Sequence, residues 1–140
     1  MKKPKILGFY GESKSGKTTL ITKLIKRLSA EGLNVATVKI TDKNIELDSK
    51  GKDTWKHSAA GSNLVVLSQA SETDYLFKQK QNINDIIENI SNIGHFDIII
   101  VEGANDKETP KVRLGKIKQR ANTVFTYYKD FEKLLKFVKN

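Results

Sequence analysis

The chain has 140 residues, 38% of them apolar and 29% charged, with only two prolines. This balance excludes disordered and collagen-like classes and predicts one soluble globular domain spanning residues 1–140. The formal charge of +9 is concentrated at the two ends, which favours anionic ligands such as nucleotides; no nucleic-acid recognition module is visible, so nucleic acid is not expected as a partner. No run approaches the roughly 20 apolar residues of a membrane span, and the apolar stretch after Met1-Lys2-Lys3-Pro4 lacks the form of an export signal. The absence of cysteine excludes disulfides and thiolate metal sites, so a cytoplasmic protein is expected.

In chain order, Lys5–Tyr10 reads as a short apolar strand leading into a glycine loop. From Lys17 to Glu31, Leu20, Ile21, Leu24, Ile25 and Leu28 recur at helical spacing, and Gly32 stops the helix. Val35–Val38 predicts a second strand. The polar stretch Ile40–Lys52 has no period and reads as a long loop, a form that is often functional or mobile. Asp53–Ala60 predicts a short helix, Leu64–Leu67 a buried strand, and Tyr75–Phe77 a short edge strand. Ile83, Ile86, Ile87 and Ile90 predict a helix, Ile98–Val101 a strand, Val112–Leu114 and Thr123–Tyr127 two late strands. Phe131, Leu134, Leu135 and Val138 predict a C-terminal amphipathic helix. Alternating apolar strands and helices predict an α/β, three-layer fold of the P-loop NTPase type, with a mostly parallel sheet flanked by helices. Ligands of such sheets gather at the carboxyl ends of the strands.

Gly11-Glu12-Ser13-Lys14-Ser15-Gly16-Lys17-Thr18 has the Gly-x4-Gly-Lys-Thr spacing of a phosphate-binding loop, and it lies between a strand and a helix as its mechanism requires. Gly11 and Gly16 let the backbone turn tightly and bring amides close to phosphate oxygens, and the helix start at Lys17 adds unpaired N–H groups and a positive dipole end. Lys17 is expected to reach the β- and γ-phosphates, the Thr18 hydroxyl to ligate magnesium, and Thr19 to meet the α-phosphate. Glu12 stands where the dimer-activated ATPases of the ParA and nitrogenase-iron-protein kind carry a lysine, so that variant loop is absent.

A magnesium–nucleotide site usually includes a carboxylate at the end of a neighbouring strand. Asp97 and Glu102 flank the strongest strand, about 16 Å apart at the rise of an extended chain. Glu102, at the carboxyl end, is the candidate for contact with magnesium-bound water or for orienting the attacking water; Asp97 belongs at the opposite edge. Asp53 has two readings: a helix cap for the amides of Thr54, Trp55 and Lys56, or a residue that the preceding loop, with Asp48, brings to the magnesium. His57 and His95 lack a second ligand at metal spacing. Trp55 reads as a packing residue or as a contact for a base or a partner, and the basic residues from Lys107 to Arg120 as solvated surface or as a site for a second anion.

Gly11-Glu-Ser-Lys-Ser-Gly-Lys-Thr-Thr-Leu-Ile, Val35-Ala-Thr-Val-Lys39, Gly51-Lys-Asp-Thr-Trp55, Ala60-Gly61 and Val101-Glu-Gly103 resemble, in the same order, the blocks of the MobB family of molybdopterin-guanine dinucleotide biosynthesis proteins. The resemblance implies a homodimeric P-loop protein that binds GTP with magnesium, hydrolyses it slowly, and assists the enzyme attaching GMP to molybdopterin. It also gives Asp53 and Glu102 weight as site residues beside Lys17 and Thr18. The chain departs from the family pattern at Ile40-Thr41-Asp42-Lys43-Asn44, where histidines are usual, and in a shorter C-terminal end. No Asn-Lys-x-Asp motif reads guanine, so GTP over ATP rests on the resemblance. Two other functions fit a phosphate loop: a small kinase with an arginine lid drawn from Arg113–Arg120, and a nucleotide-controlled adaptor that moves the Ile40–Lys52 loop.

Overall fold

A computed structural model describes residues 2–12 and 14–140. The chain forms two compact units, one made of the stretch up to Thr41 together with Ile87–Asn140, the other of Asp42–Ile86.

The first unit is built on strands β1 (Lys5–Tyr10), β2 (Val35–Lys39), β5 (Ile98–Glu102), β6 (Lys111–Leu114) and β7 (Thr123–Tyr127), arranged in the order β2-β5-β1-β6-β7. Every neighbouring pair is parallel. Such a sheet needs both faces covered, which is why Leu7, Phe9 and Tyr10 on β1 and all four residues Ile98–Val101 are buried. Leu20, Ile21, Leu24 and Leu28 of α1 (Lys17–Ala30) and Phe131, Leu134, Leu135 and Val138 of α4 (Phe131–Lys139) close the core with Leu7, Phe9, Ile98 and Ile100. Asp130 caps α4, its side chain accepting from the Lys133 N–H at 3.1 Å, and Lys5 Nζ donates to the carbonyls of Phe137 and Val138 at 3.1 and 2.8 Å. The late strands expected around Val112–Leu114 and Thr123–Tyr127 complete one edge of this sheet.

The second unit holds α2 (Asp53–Ala59) and a two-stranded antiparallel sheet of β3 (Leu64–Ser68) and β4 (Thr73–Phe77). Helix α3 (Ile83–Ile93) runs in sequence from this unit into the first. The expectation of a buried strand at Leu64–Leu67 is corrected here. Only Val65 is buried, and Leu64, Val66 and Leu67 are exposed, because β3 pairs with β4 alone instead of entering the parallel sheet. An apolar run of four records β-propensity but does not say which faces are covered.

In the basic stretch from Lys107 to Arg120, Lys107, Lys116 and Lys118 are exposed, but Lys111 departs from the reading as solvated surface. Lys111 is 0% exposed, and its Nζ donates to the carbonyls of Asp106, Thr109 and Ala121. A buried ammonium is tolerated only when its donors are satisfied, and these three carbonyls meet all of them.

Candidate functional site

Strand β1 delivers the chain to Gly11, where a Cβ would come within 2.8 Å of Ser15 Oγ and 3.0 Å of Leu114 Cβ; the loop closes over a space that only glycine leaves free. The Ser15 N–H donates to the Glu12 carbonyl at 3.0 Å, forming the turn. Lys14 takes a left-handed φ of 65° and Gly16 one of 83°. Left-handed backbone at a residue with a side chain is uncommon and clusters at ligand-holding loops. Gly16 is the N-cap of α1. Among the described residues no side-chain hydrogen bond caps the helix there, and the first turn contains no acidic residue. Helix starts normally recruit a Ser, Thr, Asp or Asn cap or an acidic first turn; here the positive end and its amides are left available to an anion from outside the chain.

Glu12, Lys14, Gly16, Lys17, Thr18 and Thr19 line one cavity of about 460 Å³ together with Glu102 and Lys39. All lie at the carboxyl end of the parallel sheet, where a doubly covered α/β sheet receives its ligands. Parallel pairing puts Phe9 of β1 beside Glu102 of β5, and Glu102 beside Lys39 of β2. Two further bonds fix these ends: the Gly103 N–H donates to the Phe9 carbonyl at 2.9 Å, and the Ile40 N–H to the Glu102 carbonyl at 2.8 Å. The Thr18 hydroxyl and the Glu102 carboxylate are hard oxygen donors in one cavity, a set that suits magnesium. Among the described residues there is no cluster of three or more His, Asp or Glu side chains able to hold a metal unaided, so an ion here would take further ligands from phosphate and water, as magnesium commonly does.

The expected residues are therefore brought together with a few exceptions. Gly11 and Ser15 shape the turn instead of lining the cavity, and Ser13 lies outside the described residues. Asp53 opens α2 in the second unit. Its reading as a helix cap is corrected: Lys52 occupies the N-cap position and no side chain caps the helix. The nearby carboxylate that does bond is Asp48, whose Oδ1 accepts from the Ser49 N–H and the Thr54 hydroxyl, both at 3.0 Å. Lys39 was missed as a site residue. Its signal was position, the last residue of a strand whose carboxyl end faces the ligand.

Arg113 and Arg120, which a kinase lid would need, are committed elsewhere. Arg113 donates to the Thr126 hydroxyl and the Ile117 carbonyl, each at 3.2 Å. Arg120 donates to the Ala104 carbonyl at 3.0 Å, and its guanidinium lies 4.8 Å from the centre of the Tyr10 ring. Both hold the framework and leave no arginine of this stretch free to cover phosphates.

A larger cavity of about 570 Å³ opens at the amino end of the strands, lined by Lys3, Lys5, Leu33, Phe96 and Asp97 among others. Asp97 sits at that edge as expected, its Oδ2 accepting from the Asn34 N–H at 2.7 Å.

A strand, a glycine-turned loop, a helix start with Lys-Thr, and a carboxylate at the end of the adjacent parallel strand are together the arrangement of a P-loop α/β fold. Comparison with known proteins narrows the class. A profile of the MobB family, described as molybdopterin guanine dinucleotide synthesis protein B, matches residues 6–140, and the chain belongs to that family. It is 33% identical over 110 residues to a molybdopterin-guanine dinucleotide biosynthesis adapter protein of Haemophilus influenzae, covering 78% of this chain and 62% of that protein. It is 30% identical over 124 residues to a putative adapter protein of the same description from Methanocaldococcus jannaschii, covering 86% of this chain and 51% of that one. The chain thus spans between half and two thirds of the length of these curated relatives. The crystal structure of Bacillus subtilis MobB shares the fold, with a TM-score of 0.75, 96% of each chain covered and 20% identity. Among the described residues no helix is long and apolar enough to cross a membrane.

Proposed function

We propose that this protein is a cytoplasmic adapter in molybdopterin guanine dinucleotide synthesis that binds GTP with magnesium at the Gly11–Thr19 loop and hydrolyses it slowly. The observation that carries this reading is the α1 start, which among the described residues has no side-chain cap and no acid in its first turn yet opens on the same cavity as Lys17, Thr18 and Glu102. In this reading the amides from Gly16 onward and the Lys17 ammonium hold the phosphates, and the Thr18 hydroxyl and Glu102 hold magnesium or its water. Bound magnesium neutralises phosphate charge and activates the terminal phosphoryl group. Glu102 orients the attacking water.

Family membership supports three partners for this reading: the enzyme that attaches GMP to molybdopterin, molybdopterin itself, and a second copy of the chain. The hairpin supports the homodimer. Leu64 pairs with Phe77 and Val66 with Tyr75 across β3–β4, so the four side chains share one face, and all are 45–60% exposed. A contiguous apolar face of this kind marks an interaction surface.

Calorimetric titration with GTP and with ATP, each in magnesium, tests the reading. Submillimolar binding of GTP supports it; failure of both nucleotides to bind below millimolar concentration overturns it. ATP binding with no GTP binding would replace GTP by ATP in the proposal.

A further inference from the structure

We propose that Lys39 is the ligand that lets this site distinguish a nucleoside triphosphate from the diphosphate, by pairing with the terminal phosphate. This rests on the nucleotide-binding reading above and names a residue of the same site.

Lys39 ends β2, two strands away from the phosphate loop. From β1 through β5 to β2 the carboxyl ends present the loop, then Glu102, then Lys39. At ~4.8 Å per strand spacing, β2 stands roughly 10 Å from β1. Lys39 and Lys17 nevertheless line the same cavity. The inner phosphates belong to the loop and the α1 start, where Gly16 and the first amides are. A cation beyond Glu102 meets what projects farthest from that loop, the terminal phosphate.

Lys39 is also available for the task. Among the described residues, neither its ammonium nor the Glu102 carboxylate takes part in an ion pair, although the two residues are register neighbours. Its backbone is held in place, because Ile40 N–H donates to the Glu102 carbonyl. Charge matching points the same way. The cavity lining contains Lys14, Lys17 and Lys39 against Glu12 and Glu102; without Lys39 the side-chain charges cancel, and with it the site carries one net positive charge. A triphosphate carries about one more negative charge than a diphosphate, so the third lysine matters most when the terminal phosphate is present.

The test compares the wild-type chain with Lys39→Met, Lys39→Arg and Lys17→Ala by calorimetry in magnesium, using GDP and a non-hydrolysable GTP analogue, and the adenine pair in parallel. Lys39→Met should weaken triphosphate binding about tenfold, the scale of one lost charge-assisted bond, and change diphosphate binding less than twofold. Lys39→Arg should restore the preference, and Lys17→Ala should weaken both nucleotides. Equal losses for both nucleotides, or no loss, in Lys39→Met while the wild type binds both would overturn the Lys39 assignment and leave the nucleotide site standing. A wild-type chain that binds none of the four overturns the site and this assignment together.

Discussion

Gly103 and Ile40 are in such close contact that a Cβ on Gly103 would lie 2.5 Å from the Ile40 carbonyl oxygen. Gly103 also holds a φ of +90°, which side-chain-bearing residues rarely adopt. The residue that follows Glu102 thus sets how near the end of β2 comes to the end of β5. Gly103→Ala should destabilise the fold by about 1–3 kcal/mol and weaken nucleotide binding by moving Glu102 and Lys39 apart. Urea unfolding read beside nucleotide titration checks both; an unchanged midpoint would mean that the strand ends shift without strain.

Lys17 is half-buried, and the α1 core is formed by Leu20, Ile21, Leu24 and Leu28 instead. Lys17→Ala should lower triphosphate affinity at least tenfold, while stability stays within about 0.5 kcal/mol of wild type. Thermal unfolding and calorimetry on the same preparation separate the two effects, and unchanged affinity would remove Lys17 from the site.

For Glu102→Gln, shape is kept and charge is lost. Nucleotide binding should persist and GTP turnover fall by about 10²–10³, the range for loss of a group that positions water or charge in a transition state. Phosphate release under saturating nucleotide measures this. A variant that unfolds instead would reveal a structural role for the carboxylate.

Asp106 provides a pH test. Burial alone would raise its pKa, but the Thr109 N–H and hydroxyl bonds and the Lys111 charge outweigh burial and hold it below the ordinary aspartate value. With the folded pKa depressed, the carboxylate contributes stability that is complete above the unfolded value of ~3.9 and is lost as pH falls through the folded one. Asp106→Asn should therefore cost stability at pH 7 and flatten the decline below about pH 4. Melting temperatures across pH 2.5–7 would show this, and parallel curves for variant and wild type would refute it.

Tyr75→Lys on the exposed hairpin face should shift the chain toward monomer in sedimentation velocity without altering nucleotide affinity. A wild type that sediments as a monomer would remove the homodimer from the proposal.

Much of the architecture was legible from the chain because β1 and β5 are apolar on both faces and α1 and α4 keep a helical period. The phosphate loop was legible because its chemistry is local: glycine, lysine and threonine act at adjacent positions. Features made by distant pairing were not. β3 has the composition of a core strand but finds its partner only in β4, and Lys111 resembles the solvated lysines around it until the carbonyls of Asp106, Thr109 and Ala121 converge on it. Lys39 became visible as a site residue only when the register set it beside Glu102. Asp53 stands first in α2, one place inside the helix, so Lys52 and not Asp53 occupies the cap position.

The enclosure of Lys111 has a chemical consequence. Acylating reagents attack amines that solvent can reach, so in the folded protein this amine should stay unmodified while the exposed lysines around it, Lys107, Lys116 and Lys118, react. Its labelling would begin only when the loops carrying those three carbonyls part from β6, which makes a single lysine a built-in reporter of local opening beside the phosphate-loop strand.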